Sequence, residues 1–492
     1  MKKMPRARPR ARRSRYGLAN RLSRSAPTTL AIGLLVGLLL GTSLVVARTV
    51  GFLHSVVNFS SPITIVHNEI DPPPGSIAWK LRHGQQVNLL VMGDGGLEND
   101  APLLTDTMMV VMIEPASKRI VEASVPRDLW VKMDAWGDGR TYPQKINVAN
   151  EVGGSDADWP GKRPQYTGKD GGGHLAEHMA GTVTGVQFDK YVTVDFKAFR
   201  DIVDAVGGID VTLDGPLDDC HYPDYHNGYI NHGVPPGYPC PAGAGIHFKA
   251  GPQHISGEQA LEIARSRDAS EPDQATDFGR AKRQQAIVNA IRHQAASVGA
   301  LAKAPALMNA LQKNFTTDMD LNDLKALYDW GGKLPDSSII RVALTDSDLL
   351  TSYVPYQRGS CGDSQLYVLC AEDPTYQVLH HYFSSLFVDP KVAAEKAPVQ
   401  VANASRGSLD LQDRVTDTLH PFGLNLGAAV HQPFRATSVV YDYSGDAYPQ
   451  TAAWLGTYFK APVQPATPAA GGPTGFVVVL GSDYASSWYG LG

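Results

Sequence analysis

Four arginines, Arg265, Arg267, Arg280 and Arg283, and the amide of Gln284 fall within residues 263–285, IARSRDASEPDQATDFGRAKRQQ. Arg265 and Arg267 sit two apart, so on an extended segment both side chains leave the same face. Asp277, Arg280 and Gln284, with Arg283, follow three- and four-residue spacing, which lines them along one side of a helix. Guanidinium forks grip phosphate oxygens in pairs and keep their charge. Two such sets across a short Pro-containing loop therefore suit a dianionic or pyrophosphate group. The competing reading is a set of solvated salt bridges with neighbouring acids.

A second constellation lies upstream. Residues 86–92 (QVNLLVM), 107–113 (TMMVVMI) and 119–125 (RIVEASV) read as strands bounded by Gly, Asp and Pro. The five-residue link 114–118 reads as a hairpin turn, making the second and third strands antiparallel. Asp94 closes the first strand and Asp106 opens the second. If that pair is antiparallel too, both carboxylates sit at one end of the sheet, and Arg127, after the third strand, arrives there as well. Each residue alone reads as an ordinary turn residue. Together they read as a site.

Further elements must hold these groups in place. Residues 137–173 read as a loop region around Lys145-Ile146-Asn147, and Gly171-Gly172-Gly173 lacks the following residues of a phosphate loop. Helices are expected over 174–184 and 196–206, with strands at 188–194 and 209–213. Ser256-Gly-Glu-Gln259 matches a capping box. Thr276 or Asp277 caps a second helix to about residue 296, whose apolar face is Ala281, Ile287, Val288 and Ile291. That places Arg280 in its first turns, where backbone N–H groups favour an anion. Helices at 302–314 and 321–330 and a strand near 339–344 complete a large unit ending at residue 388. Residues 389–398 read as a linker, and 399–492 as a smaller α/β unit with strands at 399–403, 437–443 and 476–480 and helices across 408–421 and 448–459.

Composition bounds location and partners. The first 24 of the 492 residues hold ten Lys or Arg, and the first acid is Glu69. An uncharged apolar run follows at 30–47; as a helix it would span ~27 Å, close to a hydrocarbon core. The basic residues 1–28 then stay in the cytoplasm, 29–48 form an uncleaved single-pass anchor, 49–84 a spacer, and the rest lies outside the cell membrane. A cleaved signal peptide is the rival reading. Without its ten N-terminal cations the chain carries 34 basic and 49 acidic groups, which argues against a nucleic-acid partner. The four cysteines fall in two close pairs, Cys220 with Cys240 and Cys361 with Cys370. Outside the cell each pair closes a loop as a disulfide. Zinc on Cys220 with His221, His226 or His232 is the alternative.

Taken together, VNLLVMGD (87–94), TDTMMVVMI (105–113), SVPRDLWV (124–131), KIN (145–147), VDFKAFRDIVDAVGGIDV (194–211) and GEQALEIARSR…DFGRAKRQQ (257–285) resemble the LytR–CpsA–Psr family over roughly 85–388. Residues 401–415 through 477–483 resemble the C-terminal domain that often follows it. The resemblance implies an α/β fold, a central mixed sheet flanked by helices, with a long hydrophobic pocket for a polyprenyl chain. It also implies a phosphotransferase that moves a glycopolymer (teichoic acid, capsule or similar) from a polyprenyl pyrophosphate to peptidoglycan, releasing polyprenyl phosphate. On this match Asp94 and Asp106 would hold Mg2+, with Mn2+ as a substitute. Arg127, Arg265, Arg267, Arg280 and Arg283 would clamp the pyrophosphate, with Gln284 as a hydrogen-bond partner. Asp94 is also a candidate base for the acceptor hydroxyl. The chain departs from the family at Gly95-Gly96 and at Leu104, where relatives usually carry arginine. Those departures keep two alternatives in view: a non-catalytic polyprenyl-phosphate-binding scaffold, and a polyprenyl-pyrophosphate pyrophosphatase.

Overall fold

The computed structural model describes residues 72–96, 101–222, 239–295, 315–331, 334–353, 367–406, 408–428, 430–468 and 471–490. The expected anchor at 30–47, the expected helix at 302–314, and Cys361, His226 and His232 lie outside the described residues. Among the described residues no helix is long and apolar enough to cross a membrane.

A six-stranded mixed sheet organises the fold. Its strands are β1 (Val87–Asp94), β2 (Thr105–Glu114), β3 (Arg119–Ser124), β4 (Lys190–Asp195), β5 (Phe315–Thr317) and β6 (Ile339–Ala343), in the spatial order β5-β4-β1-β2-β3-β6. The antiparallel hairpin of β2 with β3 and the antiparallel pairing of β1 with β2 are both present. β4 adds parallel to β1, and β6 adds parallel to β3. Alternation along the strands sends Leu90, Met92, Met108, Val110 and Tyr191 to one face, where they are sealed in the largest core. Leu89, Val91, Val111 and Val192 occupy the other face.

Helix α1 (Gly171–Thr184) covers the sealed face. It begins three residues earlier than its pattern predicts, and its glycines explain why. A Cβ on Gly173 would lie 2.3 Å from the Tyr191 ring, and one on Gly153, in the short helix Ala149–Gly154, would lie 2.1 Å from the Gly171 carbonyl. Close packing, not phosphate binding, sets that Gly run. The loop expected around Lys145-Ile146-Asn147 is also ordered structure: strand Tyr142–Lys145, one 3-10 turn, then Ala149–Gly154, with Ile146, Ala149 and Val152 wholly buried. Polar composition hid a piece of core.

On the other face lie α2 (Phe196–Ala205), α3 (Gly257–Arg265) and α4 (Asp277–Ala295), with a core of their own around Ile209, Val211, Ile263 and Ile287. The capping box at Ser256 and Gln259 forms, and Thr276 Oγ1 accepts from Gly279 N at 2.9 Å. Gln285 of α4 reaches the sheet and donates to the Glu122 and Val342 carbonyls. Val288, expected on the apolar face, is 38% exposed; Ala281 and Ile287 are buried. Helix α5 (Leu321–Gly331) follows its prediction to within one residue.

The C-terminal strands β7 (Pro398–Asn403), β8 (Val439–Asp442), β9 (Val463–Pro465) and β10 (Phe476–Leu480) build a second sheet in the order β7-β10-β8-β9, with Asn425–Leu426 beside β7. No loose linker precedes it. Pro390–Glu395 is a helix capped by Asp389, and Val392 and Ala397 are buried in the same core as Leu90 and Val401. Arg414 ties the units together through an ion pair to Glu372 at 2.7 Å.

Candidate functional site

The geometry begins with an irregularity. Gly93 pairs with Thr107 but Asp94 pairs with Thr105, so Asp106 is the extra residue of a bulge at the end of the β1–β2 ladder. Bulges re-aim side chains at sheet ends. Here the bulge turns Asp106, half-buried, towards Arg127, with which it forms an ion pair. Asp94 is only 7% exposed, and its Oδ1 has no hydrogen-bond partner within the protein. Burial pushes its carboxyl up to about 7; the nearby Asp195 charge and, more weakly, Asp106 act in the same direction, against a hydrogen bond from the Gly96 backbone.

Asp106, Arg127, Arg280 and Gln284 line one pocket together with Thr107, Ser124 and Ala281. Residues 174 positions apart along the chain, Asp106 and Arg280, therefore meet because the first turn of α4 lies over the ends of β2, β3 and β6. Among the described residues, Ser124 Oγ and Asn147 Oδ1 are further buried oxygens without a partner, one in this pocket and one beside the strand end of Thr105.

The other arginines divide. Arg267 stands near Asp128. Burial raises the Asp128 carboxyl, but a hydrogen bond from Lys145 and the charges of Arg127, Lys145 and Arg267 hold it below its ordinary value. Arg265 lies 4.1 Å over the ring of Phe196, the residue following Asp195, and also faces Tyr222. Arg283 does not join the set as expected. Its Nε donates to the Ile263 carbonyl, one terminal nitrogen to Gln274 and the other to the Ser266 carbonyl. With 4% exposure it is a buried brace for the loop between α3 and α4. Gln284 donates to the Ala264 carbonyl at 3.2 Å while lining the pocket.

Sequence reasoning passed over Asp195. It ends β4 in register with Asp94 and caps α2 by accepting from Ala198 N at 2.7 Å. Its signal was an acid at a strand-to-helix junction. That signal points to the site only once β4 is known to run parallel beside β1. Asp195 is the neighbour of Asp94 in the β1–β4 ladder and Asp106 lies on the bulge at the end of β2, but the oxygens of these three carboxylates do not gather within an ion's reach of one another. Cys220 and Cys240 form a disulfide with a Cα–Cα distance of 5.9 Å, which takes both sulfurs away from any zinc site with His221. Cys370 is disulfide-bonded, and its expected partner Cys361 lies outside the described residues.

A mixed sheet whose ends gather acids and arginines is the setting in which the comparisons fall. The LytR_cpsA_psr family matches residues 58–358, and the chain belongs to that family. It is similar to the polyisoprenyl-teichoic acid–peptidoglycan teichoic acid transferase TagV of Bacillus subtilis (strain 168), 30% identical over 50% of this chain and 52% of the relative. It is also similar to TagU of Bacillus mycoides (strain KBAB4), 27% identical over 49% of this chain and 62% of the relative. The match thus spans between half and two thirds of these curated relatives. Among solved structures, B. subtilis TagV is similar with a TM-score of 0.43 and 24% identity, covering 61% of this chain and 97% of that one.

Proposed function

We propose that this protein is an extracytoplasmic phosphotransferase that moves a glycopolymer from a polyprenyl pyrophosphate carrier to peptidoglycan. One observation carries the reading: Asp106, Arg127, Arg280 and Gln284 line a single small pocket at the end of the sheet, and Asp94, outside that pocket, ends the neighbouring strand β1. Family membership and the transferase names of the relatives agree with it. Arg127 and Arg280 would bind the diphosphate oxygens in pairs, with Arg267 and Arg265 at the margins and Gln284 as a neutral donor. Asp94 and Asp106 would hold Mg2+, which when bound would neutralise phosphate oxygens as charge shifts onto the leaving group. The orphaned, buried Asp94 Oδ1 supports that fit, since a buried anion is stable only when paired or on a metal.

In the reaction the acceptor sugar hydroxyl passes its proton to Asp94, the candidate base, and forms a bond to the phosphorus that bears the glycopolymer. The P–O bond to the bridging oxygen breaks, and polyprenyl phosphate leaves with that oxygen. The chain's residues orient both groups and supply fixed positive charge; little covalent work is asked of them. Val91, Val192 and Val194 share one face of the sheet towards the strand ends and are half-buried, Val192 packing against the core that holds Leu89. That apolar strip favours a polyprenyl chain as the lipid partner. The basic stretch and apolar run at 1–47 would anchor the protein in the membrane with this site outside.

The test is to incubate the full-length protein with a polyprenyl-pyrophosphate saccharide, magnesium and peptidoglycan fragments. Saccharide attached to peptidoglycan with release of polyprenyl phosphate is the expected result. Phosphate release without attachment would instead identify a pyrophosphatase, and binding without turnover a scaffold.

A further inference from the structure

We propose that the Ser124 hydroxyl is a further donor to the diphosphate, seating one phosphoryl oxygen in the pocket that Arg127 and Arg280 share. The inference rests on the diphosphate reading above and deepens it by giving a neutral group a part in holding the substrate.

Alternation along residues 121–125 sends Val121, Ala123 and Val125 into the sealed core, so Glu122 and Ser124 face the side that α4 covers. A polar group buried there needs a partner. Glu122 has one in Arg341, at 3.2 Å. Ser124 is 9% exposed, and its Oγ has no hydrogen-bond partner among the described residues. The backbone beneath it is fixed from both flanks. Ser124 stands opposite Met109 of β2 and Ala343 of β6, and its carbonyl accepts from Leu344 N at 3.2 Å. A firmly held hydroxyl thus lines the same pocket as Asp106, Arg127, Arg280 and Gln284. Leaving it unmet is costly, and alanine would fill nearly the same space without that cost. An acceptor arriving from outside accounts for the hydroxyl. The pocket holds about 30 Å³, room for one group the size of a water molecule, which a phosphoryl oxygen matches. Arg127 and Asp106 keep partial contact with solvent, so the rest of the diphosphate would lie at their level. A structural water on Ser124 would instead make the hydroxyl a stabilising group of the free protein, and that difference can be measured.

The experiment is a calorimetric titration of the full-length protein, in detergent with magnesium, with farnesyl pyrophosphate, beside thermal melts without ligand. Ser124→Ala should raise the Kd by about ten-fold or more, the usual loss of one hydrogen bond to a charged group. Its melting midpoint should stay at or above the wild-type value. A wild-type Kd in Ser124→Ala would overturn the role of Ser124; weakened binding in Arg127→Ala beside it would leave the diphosphate site standing. A lower melting midpoint in Ser124→Ala would also overturn it, because the hydroxyl would then serve the fold. Absence of farnesyl pyrophosphate binding by the wild-type protein would overturn both readings.

Discussion

Arg127 and Asp106 form an ion pair across the mouth of the pocket, although one follows β3 and the other is the bulged residue of β2. Both side chains keep partial contact with solvent, so the pair contributes little to stability, less than about 1 kcal/mol. Its importance is positional. Arg127→Ala or Asp106→Ala should lower transfer by about 10²–10³-fold, the usual effect of deleting one stabilising group, with an unfolding midpoint close to wild type. A transfer assay beside a thermal melt checks this; a folded variant with retained activity would remove Arg127 and Asp106 from the mechanism.

Arg283 should behave in the opposite way. Its guanidinium reaches three separate carbonyls, those of Ile263, Ser266 and Gln274, and a lysine ammonium cannot fork to all of them. Arg283→Lys should therefore cost about 2–3 kcal/mol by leaving buried acceptors unmet. Chemical denaturation measures that loss. A variant as stable as the parent that binds diphosphate poorly would return Arg283 to the clamp.

Gly173 is a packing position. Its Cβ would enter the Tyr191 ring, whose hydroxyl is held by Asp170 at 2.8 Å. Gly173→Ala should destabilise by about 1–3 kcal/mol or more, even though alanine is the better helix former. Gly75→Ala is a suitable contrast, since nothing lies within 4 Å of the added carbon there and only its positive φ resists.

Glu177 on α1 provides a pH test away from the site. Burial, then the charge of Asp318, pushes its carboxyl from the ordinary 4.5 to about 8, with Lys190 opposing. Between those values the unfolded chain has released the proton and the folded chain has kept it. Stability from this group is thus complete below about pH 4.5 and lost as pH rises through about 8. Glu177→Gln should remove that loss. The difference between wild type and variant, by urea denaturation at about pH 5 and about pH 8.5, should change by on the order of 2 kcal/mol, less than the whole shift implies because the residue is partly solvated. Parallel curves would refute it.

Local pattern carried much of this protein. Strand alternation and the short 114–118 link were enough to place β1, β2 and β3 and to bring Asp94, Asp106 and Arg127 to one end of a sheet. The capping box at Ser256 and the spacing of Arg280 and Gln284 likewise located α3, α4 and the pocket-facing side of α4. These are near-neighbour properties, set by the side-chain period of a strand or helix, and one chain displays them directly.

Tertiary structure alone decided the rest. Only the insertion of β4 beside β1 makes Asp195 a neighbour of Asp94, about a hundred residues away. Whether an arginine faces a ligand or the protein depends on which carbonyls the fold leaves unpaired, and that is why Arg280 lines the pocket while Arg283, three residues on, turns inward. The supposed loop at 137–173 and the supposed linker at 389–398 misled for the same reason. Glycine- and proline-rich segments look loose in isolation, yet they permit the close approaches by which distant elements share one core.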